Sequence, residues 1–235
     1  MNIFAIMKRE LKAYFYSPIA YVVFALFLLL AGYFFSMILL LSKEASMRAA
    51  MYNFVITLLF FAPLITMRLF AEERKTGTLE VLMTRPVRDI EVVLGKFFAA
   101  LSLYALMLAS TLVYVGVLVK YGNPDMGPIW SGYLGLFLLG ACFIALGIFA
   151  STLTESQIIA AVVGFAFMLL FWVIGWLSGT LGFSTESIFT YISLSSHFDD
   201  FVRGIIDFRA VIYYLSFVVF FLFVTVKSIE VRKWK

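Results

Sequence analysis

The sequence predicts an all-α integral membrane protein: six transmembrane helices, an amphipathic helix before them, a short cytoplasmic helix after the second span, and short extracytoplasmic helices before the last. Three observations carry this. Of 235 residues, 63% are hydrophobic and only 14% charged, whereas a soluble domain is apolar over about half its residues. The uncharged run from Ile19 to Leu41 reaches roughly 34 Å as a helix at about 1.5 Å per residue, enough for a hydrocarbon core of about 30 Å. Finally, the apolar runs are too long and continuous for the alternating strands of a barrel, and lipid leaves each span to satisfy its own backbone groups.

Residues 1–17 form the interface helix. Phe4, Met7, Leu11, Tyr14 and Phe15 recur near helical spacing while Lys8, Arg9 and Lys12 take other faces, the pattern of a helix lying in the inner interface. Pro18 then turns the chain from along the membrane to across it; simple continuation into the first span is the other reading. A cleaved signal peptide is not expected, because the apolar run is too long for one. The spans follow at 19–41, 54–70, 97–119, 132–153, 158–177 and 210–226. Pro63 kinks the second, and Arg68 snorkels from its inner end towards the headgroups.

Orientation follows from the basic residues. With both termini cytoplasmic, thirteen of eighteen fall inside and five, Lys43, Arg48, Lys120, Arg203 and Arg209, outside, the bias expected of a multi-pass protein. The same distribution accounts for the net charge of +4 without nucleic acid, since the bases flank spans and form no stripe. Cys142 is the one cysteine, so no internal disulfide or cysteine metal site is available. It reads as a packing residue.

The loop at 71–90 is the densest polar cluster. Glu72, Glu73, Arg74 and Lys75 precede Gly77, a break; Thr76 or Thr78 caps a new helix, and Pro86 stops it. The expected product is a short helix parallel to the membrane, with Leu79, Leu82 and Met83 on one face to enter a partner's groove and Glu80 for its rim. The competing reading is a solvated loop held by local ion pairs. A tight loop at Thr154, Glu155, Ser156 and Gln157 offers a second, smaller cytoplasmic contact, or a charge that marks a boundary. Outside, 183–209 alternates apolar residues with Asp199, Asp200 and Asp207. His197, the single histidine, near two adjacent carboxylates is too little for a metal site, and none is assigned.

No GxxxxGK[ST] loop occurs, so this chain does not bind ATP in that manner. Neither HExxH nor paired intramembrane carboxylates occur, which excludes the common intramembrane proteases and proton-driven carriers. Gly175 with Gly179, and Ala160 with Gly164, permit close helix packing.

The run Glu73-Arg74, Gly77-Thr78, Glu80, Leu82 and Pro86, followed by Gly95-Lys96 at the opening of the third span, resembles the first cytoplasmic loop of ABC-2 type transporter permeases. The C-terminal segment from Ser196 onward resembles their gliding-motility and copper-processing subgroup. The resemblance implies a permease subunit in the bacterial inner membrane, driven by a separate cytoplasmic ABC ATPase dimer that binds the MgATP, for export or for mechanical work on a periplasmic partner. It implies that Glu72, Glu73, Arg74, Gly77, Thr78, Leu79, Glu80, Leu82 and Met83 are the coupling helix, and that Thr154, Glu155 and Gln157 make a second contact. It further implies a second permease copy or related permease, an auxiliary single-span subunit, and a gate or partner contact at His197, Phe198, Phe201, Gly204 and Asp207. A membrane scaffold that anchors a machine and moves nothing is the alternative.

Overall fold

The computed structural model describes residues 3–42, 46–78, 88–181 and 191–232. Those residues are helical throughout, with no strand among them. In chain order the helices are α1 (Ile3–Tyr16), α2 (Pro18–Ser42), α3 (Arg48–Thr66), α4 (Arg68–Lys75), α5 (Asp89–Ser110), α6 (Leu112–Tyr121), α7 (Met126–Leu153), α8 (Gln157–Leu181), α9 (Leu194–Arg203) and α10 (Phe208–Arg232). Six stretches are long and apolar enough to cross a membrane: Pro18–Leu41, Arg48–Lys75, Asp89–Tyr121, Met126–Leu153, Gln157–Gly175 and Phe208–Val231. Six crossings place α1 and the end of α10 on one side, here the proximal end; the start of α3, the α6–α7 turn and α9 lie at the distal end.

The helices overrun their apolar runs because an α-helix stops where its backbone hydrogen bonds stop, not where hydropathy falls. α3 begins at Arg48, and α4 carries the second span on to Lys75. Two spans are interrupted, and each break faces a hydroxyl from α7. At Met67, between α3 and α4, the Ser151 hydroxyl accepts from the backbone N–H groups of Phe70 (2.9 Å) and Ala71 (3.1 Å) and donates to Met67 O. At Thr111, between α5 and α6, the side-chain oxygen contacts the Tyr133 hydroxyl at 3.0 Å and donates to Leu108 O. The break in the second span lies one turn beyond Pro63, whose carbonyl still accepts from Met67 N.

α7 is the central helix, packed by α3, α4, α5, α8, α9 and α10. Glycines let it be approached so closely. A Cβ on Gly140 would collide with the Tyr104 ring, one on Gly147 with the Thr66 hydroxyl, and one on Gly132 with Met51. Gly164 of α8 faces Gly147 at ordinary van der Waals distance, a Cβ there lying 3.7 Å from Gly147 Cα, while a Cβ on Gly175 would collide with Ser193. Cys142 is buried with its thiol towards Tyr214 O, in the packing role expected.

α1 also packs a stripe of its own against the bundle. Ile6, Glu10 and Tyr14, four residues apart, are its buried positions, whereas Phe4 is mostly exposed and Phe15 partly so. The buried stripe lies against α5, where Gly95 leaves room for it: a Cβ there would sit 2.7 Å from Ile6 Cβ. Tyr14 donates to Ile65 O at 2.6 Å. Burial and the neighbouring acid push its phenol above the ordinary range. Pro18 opens α2 after a bend at Ser17, so the two helices are separate.

Candidate functional site

The proximal ends of α1, α4 and α5 meet in a knot of charge. Lys96 of α5, only 1% exposed, donates to Leu69 O at 2.6 Å and reaches Glu73 Oε1 at 2.9 Å and Glu10 Oε1 at 3.3 Å. Arg9 closes the ring from outside, with one nitrogen 2.6 Å from Glu10 Oε1 and 2.9 Å from Glu73 Oε1. Two cations thus share two carboxylates contributed by three helices, which is how charges this buried are tolerated. Burial alone would raise the Glu10 carboxyl pKa; the Lys96 charge, then the Arg9 hydrogen bond and charge, outweigh it and hold it below its ordinary value.

A second link runs from the same helix. Arg74 donates to Thr152 O at 2.9 Å and to Glu155 Oε1 at 3.0 Å, and the Thr152 hydroxyl meets Ser228 of α10 at 3.2 Å. Through Glu73 and Arg74, therefore, the end of the second span is bound to α1, α5, the end of α7 and the α7–α8 turn. Arg68 sits over the Tyr14 ring, 4.4 Å from its centroid, instead of extending outwards.

Glu72, Glu73 and Arg74 consequently belong to α4, a continuation of the second span, and not to a separate helix along the membrane. Thr76 closes α4 by donating back to Glu72 O, and Gly77, with φ of +68°, turns the chain in a conformation that favours glycine. Thr78, whose side chain bonds to Thr76 and to Glu73 O, is the last described residue. Leu79, Glu80, Leu82 and Met83 lie outside the described residues. A cavity of about 740 Å³, whose lining includes the charged Arg9, Arg68, Glu72, Glu73 and Lys96 beside apolar surface, runs from the knot to Thr76 and Thr78 at the root of that segment. Glu73 Oε2 is buried without a hydrogen-bond partner among the described residues. Thr154 accepts from Ser156 N in the α7–α8 turn, and Gln157 opens α8.

The distal candidates come together differently. Phe198 and Phe201 of α9 are fully buried: Phe198 packs edge-on against Tyr52 and near Trp172, and Phe201 presses on Gly135, where a Cβ would come within 2.7 Å. His197 stacks on Tyr213, ring centroids 4.2 Å apart, with Nδ1 2.9 Å from Ser193 O. Asp199 accepts instead from Tyr52 at 2.8 Å, so the histidine and this carboxylate serve different partners. Gly204, φ +94°, ends α9 with a left-handed turn, and Asp207 opens α10 by accepting from Arg209 N. His197, Phe198, Phe201 and Gly204 thus hold α9 against the bundle, whereas Asp207 serves the start of α10.

Glu10 and Ser151 are residues of this end that the sequence reading left without a role, and Lys96 entered it only in the Gly95-Lys96 motif, without a partner. A signal existed for two of them: Glu10 is the one acid on α1, and Lys96 the one charge of α5 beyond its first turn. A lone acid and a lone base on apolar helices seek each other.

A family model described as ABC-2 family transporter protein matches residues 4–203. Comparison with the curated proteins gives no significant match. The matched stretch takes in the knot, five of the six candidate spans and α9, and with the all-helical, six-span architecture it shows that this chain is a multi-pass membrane protein belonging to the ABC-2 transporter family.

Proposed function

We propose that the chain is the permease subunit of an ABC transporter whose power stroke enters through Glu72 to Met83. Both termini are cytoplasmic in this reading, as the basic bias requires, so the proximal end faces a separate ATPase dimer that binds MgATP. Leu79, Leu82 and Met83 seat in the ATPase, Glu80 meets its rim, and the Thr154–Gln157 turn adds a second contact. A second copy or a related permease completes the membrane part. The C-terminal resemblance from Ser196 onward favours the gliding-motility subgroup, with an auxiliary single-span subunit and export or mechanical work on a periplasmic partner as the output.

The observation that supports this reading best is the pairing of Glu73 and Arg74. These two residues, at the start of the Glu72 to Met83 segment, are clamped to α1, α5, the end of α7 and the α7–α8 turn, so displacement of that segment is passed on to the bundle. Replacing Leu79 and Leu82 together with Asp is expected to abolish ATPase stimulation in the reconstituted complex while leaving membrane insertion intact. Full stimulation and transport by that variant would refute the assignment.

A further inference from the structure

α1 runs across the bundle instead of alongside it. Between Ile3 and Glu10, roughly 10 Å at about 1.5 Å per residue, its partners on α5 are two adjacent positions: Gly95 lies against Ile3 O and the Ile6 side chain, and Lys96 against Glu10. Tyr14 then bonds to Ile65 O of α3. The depth of this crossing is set by α5. The third candidate span, Asp89–Tyr121, has 33 residues, about 50 Å, and centred on a hydrocarbon core of about 30 Å it projects about 10 Å at each end. Gly95 and Lys96 stand roughly 10 Å in from Asp89. α1 therefore lies at the boundary between hydrocarbon and headgroups.

The side of α1 turned away from the bundle is apolar and cationic together. Phe4 is 67% exposed and Phe15 45%; Lys8 follows Phe4 by one turn, Lys12 follows Lys8 by another, and Phe15 stands three residues further on, so the four share one strip. Both lysines are exposed, and neither makes an ion pair among the described residues. The one acid of the helix, Glu10, is turned into the knot. The strip is left with no carboxylate.

We infer that this strip binds anionic phospholipid of the leaflet at the proximal end, acyl chains covering Phe4 and Phe15 and phosphates meeting Lys8 and Lys12. A second copy seated by the same face would set the lysines against their own counterparts. An acidic soluble protein would pair the lysines, but it would have to displace lipid from two rings at the hydrocarbon boundary. The leaflet supplies both halves of the complement at the depth where α1 lies. Headgroup choice follows from the missing carboxylate: a zwitterionic headgroup brings a cation with each phosphate and finds no acceptor for it, whereas a net-negative one brings none.

The test is competitive lipid retention, read by native mass spectrometry on the full chain equilibrated in vesicles of equal parts phosphatidylglycerol and phosphatidylcholine. Phosphatidylglycerol should be retained over phosphatidylcholine by at least about tenfold, from two lysines at about fivefold each. Lys8→Gln with Lys12→Gln, at exposed positions where folding is not at stake, should bring the ratio below about twofold, and Lys8→Arg with Lys12→Arg should keep it. Lys120→Gln with Arg209→Gln removes the same charge at the distal end and should leave most of the preference. A nitroxide on Phe4→Cys, in a chain whose own Cys142 is buried, should be relaxed more by oxygen than by a water-soluble nickel chelate. Equal retention of the two lipids, a preference that survives Lys8→Gln with Lys12→Gln or falls equally with the distal pair, or a nitroxide relaxed mainly by the chelate, which would leave the strip to an acidic soluble protein, would each overturn the proposal.

Discussion

The two ends of the bundle are held together by opposite means. The distal end is closed by α9, a short helix whose phenylalanines are buried and whose polar groups bond mainly to neutral partners. At the proximal end, charges do the same work: four side chains from α1, α4 and α5 in one knot, and an Arg74–Glu155 link beside it. Packing is insensitive to salt and pH and fails by cavity formation. Ion clusters are geometrically demanding, respond to pH, and leave a buried charge uncompensated when one member goes. An end built from charge can be redirected by a partner's charges; an end built from rings stays shut until pulled.

The comparison breaks most visibly at the centre of each end. Lys96→Met removes the buried cation between Glu10 and Glu73 and should cost about 3–5 kcal/mol, read as loss of thermal stability in detergent with α1 becoming accessible to protease. Phe201→Ala should cost a similar 3–5 kcal/mol by cavity formation, but with α9 loosened and α1 untouched. Identical proteolysis patterns for the two variants would remove the distinction between the ends. Ser151→Ala strands the N–H groups of Phe70 and Ala71 at the break in the second span and should cost about 1–3 kcal/mol, checked by the same melt. Glu155→Gln should cost under about 1 kcal/mol, because that carboxylate is largely exposed.

Acid should separate the ends as well. The Glu10 carboxyl is held below its ordinary value of 4.5, so its contribution is present above that value and is lost as pH falls through the lower, folded-state one. The stability difference between the native chain and Glu10→Gln should accordingly be constant from neutral pH down to the ordinary carboxylate pKa and shrink below it. The corresponding difference for Phe201→Ala should be much less affected. Guanidine-free melts between neutral pH and pH about 3.5 measure both.

Much of the fold was legible because lipid allows few alternatives: once the apolar runs are found, backbone hydrogen bonding dictates helices. Pro18 and Gly77 acted where their local chemistry said they would. The site was less legible, since its pairings are tertiary. Glu10 and Lys96 stand 86 positions apart, and nothing local to either names the other. The bundle-facing stripe of α1 was not legible for a related reason: hydropathy ranks Phe4 and Phe15 above Glu10, yet the acid has a buried partner on α5 and the phenylalanines do not. Ser151 could not be foreseen either, because its role exists only where a break in another helix is brought against it. The glycines of α7 were counted in the composition, but which neighbour each admits depends on packing that no spacing rule specifies.

The central claim is that movement of the Glu72–Met83 segment reaches the bundle through the knot, and Glu73→Gln tests it most directly. In the reconstituted complex this change leaves Leu79, Glu80, Leu82 and Met83, the residues proposed to touch the ATPase, intact while weakening the links to Lys96 and Arg9. The account predicts normal ATPase binding and near-normal hydrolysis with transport, or work on the periplasmic partner, per ATP reduced by about tenfold, the effect of roughly 1.4 kcal/mol of lost coupling. Transport per ATP equal to that of the native complex would contradict it.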